Sequence, residues 1–263
     1  ADGLMKRLKA AYATLPIGSP LDDATLVGPL IDGAAAEAFE RALDDMHPDL
    51  LLHPEAHVKV EALRRWARAA YSVEFDGNTR LSQRVLLPSA TDESHGLEDA
   101  RFTEFHHDDG GVDYRATYTA YDGQGIGNRL LVSPDLRRFT SMPLSGPGAK
   151  NKGMALFPRR VGDRFLALSR ADGMTIGVTA SSDGYVWEQP HEIQGPTSPW
   201  QILKVGNASP PLETSQGWLV VIHGVGLMRT YSLGALLLDL DDPTVVLGRL
   251  ERPLLPPVAH GGY

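Results

Sequence analysis

Gly96-Leu97-Glu98-Asp99-Ala100-Arg101-Phe102 places two carboxylates and a guanidinium within four positions, between a glycine and an aromatic. It sits just ahead of a run, 114–120, in which side chains alternate as a half-buried strand requires. Working outward, this two-residue period begins at Tyr71. It predicts strands at 71–75, 84–88, 101–105, 114–120, 128–133, 153–157, 165–170, 174–181, 218–224, 230–239 and 245–250. Turn residues separate them, as in Asp109-Gly110-Gly111, Asp122-Gly123 and Ser182-Asp183-Gly184. Many short strands with frequent turns mean a sandwich, a barrel or a propeller. Two phrases select the propeller. Ser133-Pro134-Asp135-Leu136, closing on Phe139, and Ser182-Asp183-Gly184-Tyr185-Val186-Trp187 each follow a strand at a similar point. They recur at about the spacing of propeller blades.

Upstream of Tyr71 the period is helical. Leu4, Leu8 and Tyr12 share a face, and Pro16, Gly18 and Pro20 stop that helix. Asp32 is placed to cap a second helix, Ala34 to Met46, with Phe39, Leu43 and Met46 on one side. His47-Pro48 and His53-Pro54 break the chain before a bridging helix from Glu55 to Ala70. The expected organisation is therefore a helical N-terminal segment, 1–70, followed by a β domain, 71–263.

Composition excludes several classes. A hydrophobic share of 42% supports a sizeable core, and a net charge of −8 argues against a nucleic-acid partner. With no cysteine there is no disulfide, thiolate metal site or cysteine nucleophile. No apolar run approaches the roughly 20 residues of a membrane span, and no signal-peptide core is seen at the N-terminus. These features lead us to expect a cytoplasmic protein, with homo-oligomerisation open. His106-His107-Asp108-Asp109 precedes Gly110-Gly111 and reads as a hairpin turn rather than a metal site. Gly123-x-Gly125-x-Gly127 lacks the spacing of a dinucleotide loop.

Two resemblances add to this. Leu8-Lys9-Ala10-Ala11-Tyr12, Pro16-Ile17-Gly18, Pro20-Leu21-Asp22 and Leu26-Val27-Gly28-Pro29-Leu30-Ile31 resemble a segment of aldehyde dehydrogenases over residues 1–46. That segment carries neither the catalytic cysteine nor the cofactor-binding half, so it implies a fused piece and no dehydrogenase activity. From Tyr71 onward the chain resembles glycoside hydrolase family 130, the β-mannoside phosphorylases and their hydrolytic relatives. The phrases that carry the resemblance include Glu98-Asp99-Ala100-Arg101-Phe102, Tyr114 to Asp122, Asn151-Lys152-Gly153-Met154 and Leu168-Ser169-Arg170. Lys204-Val205-Gly206, His223-Gly224-Val225, Tyr231-Ser232-Leu233-Gly234 and Leu236 to Pro243 continue it. The family fold is a five-bladed β-propeller with a central polar site. The family pattern also has a blade ahead of the Glu-Asp-x-Arg phrase and a closing blade beyond residue 263. About three to four blades are therefore expected here.

The resemblance implies roles residue by residue. Asp99 matches the proton donor, and cleavage of a glycosidic bond needs an acid at the leaving oxygen. Glu98 is the neighbouring charge that would help it keep its proton. Arg101 shares a face with Asp99 if the run is regularly extended, where it would orient the carboxylate or bind sugar hydroxyls; from spacing alone the two also read as a structural ion pair. Lys152, Arg170 and His223 match phosphate-holding positions, where clustered donors suit a phosphate nucleophile and replace the second carboxylate of an inverting hydrolase. Lys204 matches a position near the sugar. Tyr121, Trp218 and Tyr231 are candidates for lining the sugar or for packing, and Asp122 for binding a hydroxyl or closing a turn. The implied activity is an inverting phosphorylase that cleaves β-mannosides with inorganic phosphate to α-mannose 1-phosphate. It needs no cofactor beyond phosphate as co-substrate. A hydrolase of the same fold and a non-catalytic carbohydrate-binding module are the alternatives. Asp99, Arg170, Lys152 and His223 should converge, with Lys152 and His223 nearer Arg170 than Asp99.

Overall fold

The computed structural model describes residues 69–256 and the single positions Ala38 and Arg41. The chain divides into two units, Ala1–Ala70 and Tyr71–Tyr263. Ala38, Arg41 and Ala69 are helical. The rest of the helices expected over 1–70, and with them nearly all of the aldehyde dehydrogenase-like stretch, lie outside the described residues.

Among its described residues the second unit is mainly β, with only one-turn 3-10 helices between strands. Its strands form three sheets that follow one another along the chain, and every strand pair is antiparallel. The first contains β1 (Tyr71–Glu74), β2 (Gly96–His106), β3 (Val112–Tyr121), β4 (Ile126–Ser133) and β5 (Arg138–Pro143), in the order β1-β5-β4-β3-β2. The second is a meander of β6 (Ala155–Leu156), β7 (Phe165–Ser169), β8 (Ile176–Ser181) and β9 (His191–Gln194). In the third, β10 (Lys204–Asn207) and β11 (Leu212–Thr214) both pair with β12 (Gly217–Val225). Beyond β12 follow β13 (Tyr231–Leu238) and β14 (Val246–Arg249).

Alternation explains how the sheets stack. On β3, Ala116 and Tyr118 face a core with Leu131 and Phe139. The intervening Thr117 points the other way and donates to the Met154 carbonyl ahead of β6 (2.6 Å). Consecutive sheets share cores. Leu130 of β4 packs with Met154, Leu156, Ala167 and Trp187 of the second sheet and its flanks. Phe157, Leu168 and Ile176 pack with Trp218, Val220, Ile222, Leu236 and Leu238 of the third. Burying each large aliphatic or aromatic side chain stabilises by about 1.5–3 kcal/mol. The turns are built by aspartates. Asp122, Asp135, Asp172, Asp183 and Asp239 each accept two backbone N–H groups from the residues that follow.

A buried polar network ties down the residues leading into β2. The fully buried Glu93 accepts the hydroxyls of Tyr71 (3.1 Å) and Tyr118 (2.5 Å) and the backbone N–H groups of Ser89 and Ala90. Arg129, equally buried, pairs with Glu93 through Nε (3.0 Å) and with both oxygens of Asp92 through Nη1 (2.9 and 2.8 Å). Its Nε also meets Tyr118 and Ser141. Each member satisfies another, as buried charges require.

Three expectations need correction. Residues 84–88 form no strand: Pro88 ends the run, and Arg84 instead donates to the carbonyls of Leu136 and Thr79. Four short strands, β5, β9, β10 and β11, were not foreseen. Finally, β2 is not regular. Glu98 pairs with Thr119 and Arg101 with Thr117, so Asp99 and Ala100 together stand opposite Tyr118. This is a β-bulge.

Candidate active site

The bulge sets the position of the first candidate. Asp99 has φ of 56°, a left-handed conformation that aspartate tolerates better than most residues. The bulge breaks the two-residue alternation, so Asp99 and Arg101 do not share a face by simple extension as the spacing suggested. Arg101 returns to the ladder and donates from Nη1 to the Gly153 carbonyl, 2.5 Å away. The link joins the first sheet to the segment that opens the second.

Two glycines allow the cations to approach each other. Gly153 has φ of +90°, and a Cβ there would lie 3.1 Å from Arg170 Cδ and 3.2 Å from Arg101 Nη1. On β10, a Cβ at Gly206 would lie 2.7 Å from both Arg170 Nε and His223 Cε1. Gly206 is the ladder partner of His223 on β12. Only a missing side chain lets the guanidinium and the imidazole occupy this space. Arg170, just past β7, is buried and donates from Nη2 to the Gly173 carbonyl (3.2 Å). Its Nε is buried without a partner. The Tyr231 ring stands at the mouth of the β12–β13 hairpin, 5.8 Å from the His223 ring.

Electrostatics bind the same residues together. Burial chiefly lowers the Arg170 guanidinium, against the opposing charges of Asp99, Asp172 and Tyr231. Burial also lowers Arg101, with Asp99 opposing and Arg170 reinforcing. His223 is pushed down to about 4 by burial and then by Arg170, Arg101 and Lys204, with Asp99 opposing. At neutral pH His223 is therefore an uncharged imidazole, with one N–H to donate. The structure thus brings Asp99, Arg101, Arg170, Lys204, His223 and Tyr231 together.

The other candidates are placed differently. The Lys152 ammonium lies 3.1 Å from Glu98 Oε1, so it pairs with the chain neighbour of Asp99. Tyr121 ends β3 and donates its hydroxyl to the Gly123 carbonyl (2.9 Å). Asp122 takes the N–H groups of Gln124 and Gly125 in the same turn. Trp218 is core: fully buried, it packs edge-on against Phe157 at 5.1 Å and donates to the Leu240 carbonyl. It cannot line a sugar. Sequence reasoning missed Gly153 and Gly206 as site residues. Two glycines embedded beside Lys152 and Val205, in the phrases that carried the resemblance, were the available signal.

An exposed aspartate on a bulge, beside buried and half-buried cations with a free donor among them, defines a β-sheet protein with an acid-and-anion cluster. Residues 71–260 match the family described as beta-1,4-mannooligosaccharide phosphorylase, and the chain belongs to that family, glycoside hydrolase family 130. It is 30% identical over 182 residues to a beta-1,2-mannobiose phosphorylase of Listeria innocua, covering 66% of this chain and 49% of that protein. It is 31% identical over 201 residues to a 1,2-beta-oligomannan phosphorylase of Thermoanaerobacter, covering 73% and 64%. The solved structure of the Listeria innocua enzyme with beta-1,2-mannobiose superposes with a TM-score of 0.55 at 29% identity, over 65% of this chain and 49% of that one. The chain thus spans about half to two thirds of the length of these relatives. The family match begins at Tyr71 and does not reach residues 1–46. Among the described residues no helix is long and apolar enough to cross a membrane.

Proposed function

We propose that the protein is an inverting β-mannoside phosphorylase. The observation that carries this is the buried Arg170 Nε, without a hydrogen-bond partner among the described residues and bordering, with His223, the gap left by Gly206. A buried guanidinium N–H without an acceptor costs on the order of 1–3 kcal/mol. An anion that restores the acceptor recovers that cost. Inorganic phosphate fits, since it accepts from a guanidinium fork, a neutral imidazole and an ammonium at once. Lys204 and Arg101 add to the positive field beside it, and Lys152 completes the set. Asp172, the other carboxylate felt by Arg170, is occupied by the backbone and hydroxyl of Thr175 and by the Met174 N–H. It is therefore poorly placed to activate water, which favours phosphate as nucleophile over hydrolysis.

In the reaction a phosphate oxygen bonds to the anomeric carbon as the bond to the leaving oxygen breaks. Asp99 gives its proton to that oxygen, directly or through a sugar hydroxyl, and inversion yields α-mannose 1-phosphate. Phosphate supplies the proton that restores Asp99. Tyr231 borders the sugar in this reading. The three consecutive sheets correspond to three blades of a five-bladed propeller; their edge strands β2, β6 and β10 carry or adjoin Asp99, Gly153 and Lys204. The test is incubation with β-1,2- and β-1,4-linked mannosides with and without phosphate. Sugar phosphate should form only when phosphate is present; equal mannose release in both, without sugar phosphate, overturns the proposal.

A further inference from the structure

The Lys152–Glu98 ion pair points to a function for Glu98 other than the charge it was expected to place beside Asp99. We infer that Glu98 competes with phosphate for Lys152 and so sets how tightly the nucleophile is held. The inference rests on the phosphorylase reading above.

Three observations support it. First, the pair is a cross-sheet contact. Glu98 is the last ladder residue before the Asp99 bulge, and Lys152 directly precedes Gly153, whose carbonyl holds Arg101 and whose Cα abuts Arg170. The Lys152 backbone is thus anchored next to the glycine on which Arg101 and Arg170 meet. Second, the pair is soft. Both side chains are about half exposed, at 42% and 51%, and among the described residues neither charged group has a second partner. Exposed pairs of this kind are worth only about 0.2–1 kcal/mol, so an incoming dianion can take the lysine from the glutamate. Third, the backbone at Lys152 is fixed independently of the pair. Asn151 holds φ of 62° and its Oδ1 accepts the Lys152 N–H at 2.8 Å. Asn128 in turn donates to the carbonyls of Ala149 and Asn151. Only the side chain has to swing.

The consequence is a site with an internal counterion. Without phosphate, Glu98 neutralises Lys152 and limits self-repulsion among Arg101, Arg170, Lys204 and Lys152. With phosphate, Lys152 changes partner. After turnover, Glu98 reclaims the lysine and weakens the hold on the sugar phosphate. Glu98 is a positioning residue: it acts through Lys152 and touches neither substrate.

The experiment is calorimetric titration of inorganic phosphate into the full chain, with chloride matched for ionic strength, for the wild type, Glu98→Gln and Lys152→Gln. Glu98→Gln should bind phosphate about 1.4- to five-fold more tightly, the range corresponding to an exposed pair. Lys152→Gln should bind more weakly than the wild type. In the double variant the Glu98→Gln gain should vanish, because the lysine over which the anions compete is gone; a purely structural role for Glu98 would leave that gain in place. In phosphorolysis assays Glu98→Gln should lower the phosphate KM without raising kcat. Equal phosphate affinity in wild type and Glu98→Gln overturns the inference and leaves the phosphorylase reading intact. Absence of phosphate binding in all proteins overturns both.

Discussion

Replacing Glu93 by alanine should be among the most destabilising single changes in the β unit, although Glu93 lies outside the acid-and-anion cluster. Its carboxylate is fully buried and receives two tyrosine hydroxyls, two backbone N–H groups and the Arg129 guanidinium. Alanine removes the carboxylate that pairs with Arg129 Nε, leaves Asp92 as a carboxylate partner of that guanidinium, and strands the donors of Tyr71, Ser89 and Ala90. Breaking a buried pair by removing one partner costs about 3–5 kcal/mol. For a domain of this size each kcal/mol lowers Tm by about 2–4 °C, so the expected drop is about 6–20 °C. Thermal unfolding followed by tryptophan fluorescence reads it directly, because Trp187 and Trp218 are fully buried. Glu93→Gln should fall between, since the amide keeps one acceptor but turns a donor toward two backbone N–H groups. The network also borders the bulge, because Tyr118 stands opposite Asp99 and Ala100. Glu93→Gln, if folded, should therefore lose more in kcat than in phosphate affinity. A Tm drop below about 2 °C for Glu93→Ala would show that water or rearrangement satisfies Arg129 and would sink the account of a tightly coupled network.

Other outcomes follow from the site. Asp99→Asn should reduce phosphorolysis by about 10²–10⁴-fold, the usual worth of a general acid, while leaving phosphate binding measurable by calorimetry. Gly206→Ala should weaken phosphate binding about tenfold or more, because its Cβ would fall 2.7 Å from Arg170 Nε and displace the donor; unchanged affinity would contradict the close approach. His223 has a folded-state pKa of about 4, below its usual 6.5, so the unfolded chain binds the proton more readily between those values. Its contribution to stability is therefore fully favourable above about pH 6.5 and is lost as pH falls toward 4. His223→Gln should flatten that part of a Tm-against-pH curve, and an identical slope in the variant would refute the assignment.

The parts of the fold that were legible depend on local pattern. The run 114–120 alternates cleanly and became β3, and the aspartate-led phrases at 133–139 and 182–187 became turns because the aspartate side chain closes them locally. What escaped depends on partners far along the chain. Lys204-Val205-Gly206-Asn207 contains glycine and asparagine and has little strand propensity; it is a strand because β12 supplies its ladder. The Glu93 network joins residues 22 and 25 positions apart, and nothing at position 93 announces them. Conversely, 84–88 has a strand's composition, but Pro88 ends the run and Arg84 is held by the carbonyls of Leu136 and Thr79. At the site, Asp99, Arg170 and His223 were named from the family's phrases. The meeting of Arg170 with Arg101 at Gly153 and with His223 at Gly206, and the pairing of Lys152 with Glu98, depend on residues far apart in the chain.

The bulge in β2 also divides one strand into two frames. Gly96 to Glu98 and Arg101 to His106 each obey the alternation of β3, but they are offset by the extra residue between them. Asp99 and Ala100 form the seam. Changes on one side of the seam need not be matched on the other, so the surroundings of Glu98 can diverge while Arg101 and its grip on Gly153 stay fixed. Deleting a single residue at the seam would merge the frames. A one-residue slip turns every following side chain to the opposite face. Such a deletion would either turn Arg101 away from Gly153 or carry Glu98 away from Lys152, giving a chain that keeps its acid in sequence but loses the arrangement around it.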